Sequence, residues 1–141
     1  MRYGEEKLLI YTDGASRGNP GHSAYGFVLL FENEEVVHEE NGYIGKTTNN
    51  RAEYRAVINA LEKAKDFHDG RVKLFSDSNL IVKQMKGVWR VKNQDIRKLH
   101  GSAKELIKYF EEVCFEHVPR ENRYVSRADK LCNEKLDERN L

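Results

Sequence analysis

The pattern of apolar residues changes once along the chain, at the TTNN segment, residues 47–50. Before it, three runs rich in β-branched and aromatic residues predict strands at 7–12, 24–31 and 35–44. The links between these runs are too short to contain helices. The first third of the chain is therefore expected to form an antiparallel meander.

After this segment, strands alternate with stretches in which apolar residues recur at helical spacing. The predicted helices and strands are 50–67, 71–77, 78–87, 94–111, 113–118 and 127–139. Such alternation implies right-handed crossovers and parallel pairing. The expected fold is α/β with a mixed five-stranded sheet. Without repeats or Pro-rich linkers, we expect a single domain over residues 1–141.

The length and composition narrow the class of protein. A chain of 141 residues can bury a core without disulfides, and no apolar stretch is long enough to span a membrane. Glu5 and Glu6 lie where a signal peptide carries cationic residues. We therefore expect a cytoplasmic monomer with no membrane association and no obligate protein partner. Cys114 and Cys132 lie in apolar patterns and are both predicted to be buried.

Charge is unevenly distributed, although the formal net charge is only +1. Residues 32–40 carry five Glu and no Lys or Arg, whereas residues 83–98 carry six Lys or Arg and one Asp. The basic stretch surrounds Trp89, the one tryptophan of the chain. It could contact a polyanion, or it could be a solvated loop with Trp89 packed into the core.

Four acidic residues lie at the predicted junctions between strands, helices and loops. Asp13 and Asp77 end two strands, and Glu53 and Asp129 lie in the first turns of two helices. Each has a structural explanation when it is taken alone. Asp13 starts an Asp-Gly pair typical of turns, and Asp129 would complement a helix dipole.

The other two acids also have simple local roles open to them. Glu53 could reach back to Asn50 as in a capping box. Asp77, or Ser78 beside it, could cap the following helix. These explanations remain open as long as each residue is considered by itself.

Together, the four acids favour a functional site. Ligands bind at the carboxyl ends of parallel strands, and strand 1 beside strand 4 would place Asp13 next to Asp77. Carboxylates that converge there repel each other unless a cation neutralises them. Oxygen ligands without His or Cys favour Mg²⁺ or Mn²⁺ over Zn²⁺. Such a site can hold two metal ions for phosphoester displacement.

Four motifs in order resemble those of the type 1 ribonuclease H family: YTDGASRGNPG, TNNRAEY, SDSNL and RADKL, at residues 11–21, 48–54, 76–80 and 127–131. The resemblance implies metal-dependent cleavage of the RNA strand of an RNA–DNA hybrid, leaving 5′-phosphate and 3′-hydroxyl ends. It implies that Asp13, Glu53, Asp77 and Asp129 hold two Mg²⁺ ions, with Mn²⁺ as an alternative. Asp13 would bridge both ions, and Asp129 would help to hold the one that activates water.

The same resemblance implies contacts with the substrate. Asn19, Asn49 and Asn79 match positions that read the RNA strand through its minor groove, where the 2′-hydroxyl marks RNA. Thr48 matches a position that holds a phosphate of the DNA strand. Trp89, with its basic neighbours, matches part of a substrate-binding protrusion that is much shorter here. The chain is thus similar to the branch of the family without the long basic protrusion.

A second departure concerns the loop before Asp129. Many family members place a mobile His about ten residues ahead of this acid, where it assists proton transfer or product release. Pro119 occupies that position, and the nearby candidates are His117 and Arg120. The alternative function is a catalytically silent hybrid-binding module. A phosphatase or exonuclease on the same fold is a third hypothesis, without a motif of its own here.

Overall fold

The computed structural model describes residues 6–141. The strands are β1 Leu8–Gly18, β2 Gly21–Phe31, β3 Val36–Thr47, β4 Arg71–Ser76 and β5 Glu112–His117. The helices are α1 Asn49–Ala64, α2 Asn79–Met85, α3 Gln94–Ile107 and α4 Arg123–Glu138. Within the described part of the chain, no helix is long and apolar enough to cross a membrane.

The predicted mixed sheet is confirmed, with the strand order β3-β2-β1-β4-β5. The first three strands pair antiparallel, and β1–β4 and β4–β5 pair parallel. The parallel pairing of β1 with β4 stops at Tyr11 and Phe75. Beyond this point β1 continues alongside β2 alone, so its later residues border an open space above the end of β4.

The interpretation of Asp13–Gly14 as a turn is wrong, because β1 continues through both residues. Asp13 pairs with Gly26 and Gly14 with Tyr25, and the chain reverses only after Gly18. Gly18 has a φ of 102°, which favours glycine. Asp13 therefore lies within an antiparallel strand at the place where its parallel neighbour has ended.

The prediction that Glu53 and Asp129 lie in the first turns of two helices is also wrong. Thr48 caps α1, so Glu53 is the fifth helical residue, past the first turn, and it forms no capping box with Asn50. Helix α4 begins at Arg123, because the Asn122 side chain accepts hydrogen bonds from the Tyr124 and Val125 amides. Asp129 therefore lies in the second turn of α4, too far along to serve the N-terminal dipole.

The sheet buries both faces, and alternate residues of β1 point to opposite sides. Leu8 and Ile10 belong to the larger core cluster, which α1, α2 and α3 cover. Tyr11 belongs to a second cluster with residues of α4. Because Asp13 lies two residues beyond Tyr11, its side chain is on the α4 side of β1.

Two glycines allow helices to approach the sheet closely from opposite faces. A Cβ atom on Gly14 would lie 2.3 Å from the Ala52 carbonyl carbon in α1. A Cβ atom on Gly26 would lie 2.4 Å from the Ala128 carbonyl oxygen in α4. Gly14 follows Asp13 in β1, and Gly26 of β2 pairs with Asp13. Both helices therefore close around this one position of the sheet.

We predict that Gly14→Ala lowers the free energy of unfolding by about 1–3 kcal/mol, because α1 must move to accommodate the methyl group. Urea denaturation would measure this change. Gly101→Ala is the matched control, since its Cβ would meet no atom within 4 Å. The control should stabilise α3 by about 0.5–1 kcal/mol. A Gly14→Ala variant as stable as the original chain would contradict the role of close helix packing.

Candidate active site

Three carboxylates converge where the parallel part of the sheet ends. Oxygen atoms of Asp13, Glu53 and Asp77 all lie within 4.8 Å of one another. Asp13 comes from β1, Asp77 directly follows β4, and Glu53 comes from α1. Asp129 approaches from α4 and lines the same cleft as Asp13. The structure thus brings together the four acids that the sequence singled out.

Glu53 is held by the backbone of β1. Its Oε1 atom accepts a hydrogen bond from the Gly14 amide at 2.8 Å. This contact requires the close approach of α1 that the missing side chain of Gly14 permits. The strand thereby positions a carboxylate 39 residues away in the sequence.

Asp77 faces the cluster because its neighbours take over the capping of α2. Ser78 is the N-cap residue, and its Oγ accepts a hydrogen bond from the Ile81 amide at 3.3 Å. Ser76 in turn accepts a hydrogen bond from the Ser78 amide at 3.0 Å. Of the two possible capping residues, the structure selects Ser78. The Asp77 carboxyl lines the cleft instead.

The electrostatics of the cluster are unfavourable when no cation is bound. Burial and then the Glu53 charge raise the pKa of Asp13. Burial and then the Asp77 charge raise the pKa of Glu53. Burial also raises the pKa of Asp77, and the Arg120 guanidinium opposes this rise. The cluster therefore retains protons that a bound cation would displace.

The donor set fits a hard divalent cation. All the converging side chains offer carboxylate oxygens, the ligands that Mg²⁺ and Mn²⁺ prefer. Within residues 6–141, this is the one group of three or more His, Cys, Asp or Glu side chains with a spacing suited to a metal ion. The raised pKa values of its members indicate the same need for positive charge.

The acids line an open cleft of about 510 Å³. The other side chains and backbone segments that line it are Gly14, Ala15, Ser16, Asn49, Ser78 and Arg120. Ser16 and Ser78 were not among the predicted site residues. Their signal in the sequence is adjacency, since each lies inside a motif that also contains an acid of the cluster.

The predicted substrate-contacting residues lie on three segments, and of these residues Asn49 lines the cleft. Asn19 lies in the β1–β2 hairpin, and its Oδ1 accepts a hydrogen bond from the Asn49 amide at 3.0 Å. Thr48 caps α1 through a hydrogen bond from the Arg51 amide at 3.3 Å. Asn79 is the first residue of α2 and is exposed. These placements are compatible with substrate contacts, which remain predictions.

The interpretation in which Trp89 packs into the core is wrong, because this side chain is 45% exposed. It lies in the loop after α2, where its amide donates to the Lys83 carbonyl at 3.2 Å. An aromatic side chain is therefore available at the surface among basic residues.

The prediction for the two cysteines is half correct. Cys132 is buried, and its thiol donates to the Asp13 carbonyl at 3.3 Å. Cys114 is exposed, because it lies on the edge strand β5 with its side chain opposite to Val113 and Phe115, which pack on the core. In a strand, the middle residue of such a triplet points to the other face.

His117 and Arg120 both lie near Asp77, in different ways. The His117 Nε2 atom is 3.1 Å from the Asp77 carbonyl oxygen, so the ring is engaged with the backbone. Arg120 lines the cleft itself and acts on the Asp77 carboxyl through its charge. The geometry therefore favours Arg120 as the residue that faces a ligand in the cleft.

Comparisons with known proteins agree over nearly the whole chain. A family model described as "Reverse transcriptase-like" matches residues 11–135. Ribonuclease HI of Halobacterium salinarum is 45% identical over 132 residues, which cover 94% of this chain and 65% of that protein. Ribonuclease H of Prosthecochloris aestuarii is 38% identical over 148 residues, which cover 93% of this chain and 96% of that protein.

The fold is similar to solved structures as well. The crystal structure of LC11-RNase H1 in complex with RNA/DNA hybrid matches with a TM-score of 0.90 and 40% identity, covering 95% of this chain and 99% of that one. The chain spans about two thirds or less of several curated relatives, with 65% of the halobacterial protein and 36% of three mycobacterial ones.

The raised pKa values predict how stability depends on pH. An acid with a raised pKa in the folded state binds protons more tightly when folded, so stability falls as pH rises above the unfolded pKa, about 4. In EDTA, the free energy of unfolding should therefore decrease from pH 5 to pH 8. Asp13→Asn should reduce this decrease and stabilise the protein at pH 8 by about 1 kcal/mol or more, the equivalent of one pKa unit.

Urea denaturation at both pH values would measure these changes. Asp66→Asn is the matched control, because Asp66 is an exposed acid just after α1 and far from the cluster. It should leave the pH dependence unchanged. The explanation fails if Asp13→Asn shows the same pH dependence as the original chain.

Proposed function

This chain belongs to the type 1 ribonuclease H family, and we propose that it is an endoribonuclease that hydrolyses the RNA strand of RNA–DNA hybrids. The products would carry 5′-phosphate and 3′-hydroxyl ends. The observation that carries the proposal is the convergence of Asp13, Glu53 and Asp77 within 4.8 Å at the end of the parallel strands. The likeness to a structure solved with an RNA/DNA hybrid supports the choice of substrate.

Two Mg²⁺ ions are the proposed cofactors, with Mn²⁺ as an alternative. Asp13, Glu53 and Asp77 would hold them, together with Asp129 beside Asp13. Such ions make hydroxide accessible near neutral pH and stabilise the departing 3′ oxygen. The chain itself contributes rigid placement of the carboxylates, through the Gly14 amide on Glu53 and the capping of α2 beside Asp77.

Recognition of RNA is assigned to the asparagines around the cleft. Asn19 and Asn49 lie on adjoining segments that a hydrogen bond joins, and Asn79 lies next to the capping residue of α2. Their amide groups can donate to and accept from a 2′-hydroxyl, the group that distinguishes RNA from DNA. Thr48 would contact a phosphate of the DNA strand, and Trp89 with its basic neighbours would contact the hybrid.

Arg120 is the proposed counterpart of the mobile His of other family members. It lines the cleft, where burial raises the pKa of Asp77 and the positive charge of Arg120 opposes this rise. A guanidinium keeps its charge at neutral pH and pairs well with phosphate oxygens. It can therefore hold a substrate or product phosphate near the carboxylates, although it cannot serve as a proton shuttle at neutral pH.

The silent hybrid-binding module is disfavoured because all four acids are present and converge. A module that only binds has no need for a carboxylate cluster that raises the pKa of its own members. The two functions differ in one observable property, since only the enzyme converts the hybrid into shorter RNA fragments.

We predict internal cuts in the RNA strand of an end-labelled hybrid in the presence of Mg²⁺ or Mn²⁺, and none in EDTA. Asp77→Asn should reduce cleavage on the order of 10²–10³-fold or more, because one carboxylate of the cluster is lost. Hybrid binding, measured by fluorescence anisotropy, should be retained. Gel analysis of the fragments gives the readout.

Asp66→Asn is the control for this substitution and should cleave like the original chain. An original chain that binds the hybrid without cutting it would support the binding module. Cleavage of a free phosphomonoester with none of the hybrid would instead favour a different enzyme on the same fold.

A separate prediction distinguishes the two candidates in the loop before α4. Arg120→Ala should lower kcat about 10- to 100-fold, the usual effect of losing a partner beside the ligands of a site. Arg120→Lys should recover part of this loss, because it restores the charge without the bidentate geometry. His117→Ala should have the smaller effect, since its ring contacts backbone. Steady-state kinetics would decide, and a larger effect at His117 would reverse the assignment.

A further inference from the structure

Two serines face each other across the end of the β1–β2 hairpin. Ser16 on β1 is directly opposite Ser23 on β2. The Ser23 side chain is fully buried, and its Oγ is 2.9 Å from the Ser16 Oγ. The Ser16 Oγ is in turn 3.0 Å from the carbonyl oxygen of Thr47, the last residue of β3. A short line of hydroxyls therefore connects three strands.

The hydrogen bonds along this line can all run in one direction: Ser23 can donate to Ser16, and Ser16 can donate to the Thr47 carbonyl. Other carbonyl oxygens within reach are that of Gly21 at 2.8 Å and that of Thr47 at 3.3 Å for Ser23, and that of Gly18 at 2.5 Å for Ser16. A buried hydroxyl needs such a partner, and each bond of this kind is directional.

Backbone pairing is irregular at the same place. The register of β2 with β3 shifts between Ser23 and Ala24, and Gly45 opposite Ser23 has a φ of 81°. A bulge interrupts the ladder and bends the strand. The direction in which β3 leaves the sheet toward Thr48 therefore depends on side-chain bonds more than it would in a regular ladder.

The line of hydroxyls connects two of the three segments that carry the proposed RNA contacts. Asn19 lies in the hairpin, and Asn49 opens α1 two residues after Thr47. The Asn19 Oδ1 accepts a hydrogen bond from the Asn49 amide. This amide is one of the donors at the start of the helix that have no partner within the helix itself. This bond is made only if the hairpin and the helix start keep their relative position.

We propose that Ser23 is a positioning residue which, through Ser16 and the Thr47 carbonyl, holds the Asn19 hairpin against the start of α1. This arrangement determines the spacing with which the protein binds the RNA strand. The inference rests on the proposed function for its effect on substrate, while its structural part does not depend on activity. Ser23 lies outside the carboxylate cluster and acts on binding through Asn19 and Asn49.

The experiment uses Ser23→Ala, with Ser16→Ala as a second variant at a less buried position. Ser102→Ala is the matched control, because its hydroxyl bonds only within α3, to the Lys98 carbonyl. Steady-state kinetics on an RNA–DNA hybrid give KM and kcat. Amide–water exchange measured by NMR gives the exchange rate of the Asn49 amide.

We expect Ser23→Ala to raise KM about 3- to 10-fold with kcat unchanged, the factor that loss of one hydrogen bond produces. Ser16→Ala should raise KM by a similar factor, but its kcat is not part of the test because Ser16 lines the cleft. The Asn49 amide should exchange faster by a similar factor. Ser23→Cys, which keeps a weak donor, should give intermediate values of both. A general loss of stability would instead alter exchange throughout the sheet and would not separate KM from kcat.

An unchanged Asn49 exchange rate in both variants would overturn the inference, and so would faster exchange without any change in KM. Failure of the proposed function gives a different result. In that case the original chain does not cleave the hybrid, whereas the exchange of Asn49 still reports whether Ser23 holds the two segments together.

Discussion

The arrangement of the site depends on one close contact between a helix and a strand. Glu53 reaches the Gly14 amide at 2.8 Å because α1 lies where a side chain on Gly14 would be. Gly26 permits the same approach by α4 on the other face. Asp13 lies between these two contacts, and the second turns of both helices therefore bring carboxylates to it. With side chains at these two positions, α1 and α4 would lie farther from the sheet, and their acids would lie farther from Asp13.

This convergence is electrostatically costly. Burial and mutual repulsion raise the pKa of Asp13, Glu53 and Asp77, so the site opposes folding at neutral pH unless a cation is bound. The two apolar clusters on the faces of the sheet offset this cost. A ribonuclease H needs such a site to hold cations, because a phosphodiester adds further negative charge that the cations neutralise. The unfavourable electrostatics and the proposed catalysis thus have the same origin.

Much of the fold could be predicted, because local residue patterns report secondary structure. The five strands, their mixed pairing and the four helices follow from apolar spacing. The errors lie where distant residues decide. Asp13–Gly14 resembles a turn but pairs with β2, Asn122 starts α4 earlier than the apolar pattern indicates, and Trp89 is exposed. Cys114 is exposed because β5 is an edge strand whose outer face α4 does not cover.

By itself, the sequence determined which residues to propose for the chemistry: four acids, in motifs that resemble one family. Only the tertiary structure decided how close they lie, that Ser78 caps α2 in place of Asp77, and that Arg120 faces the cleft. The reason is physical. Residue type and local spacing are written along the chain, whereas distances between residues far apart in the sequence depend on how closely α1 and α4 pack against Gly14 and Gly26.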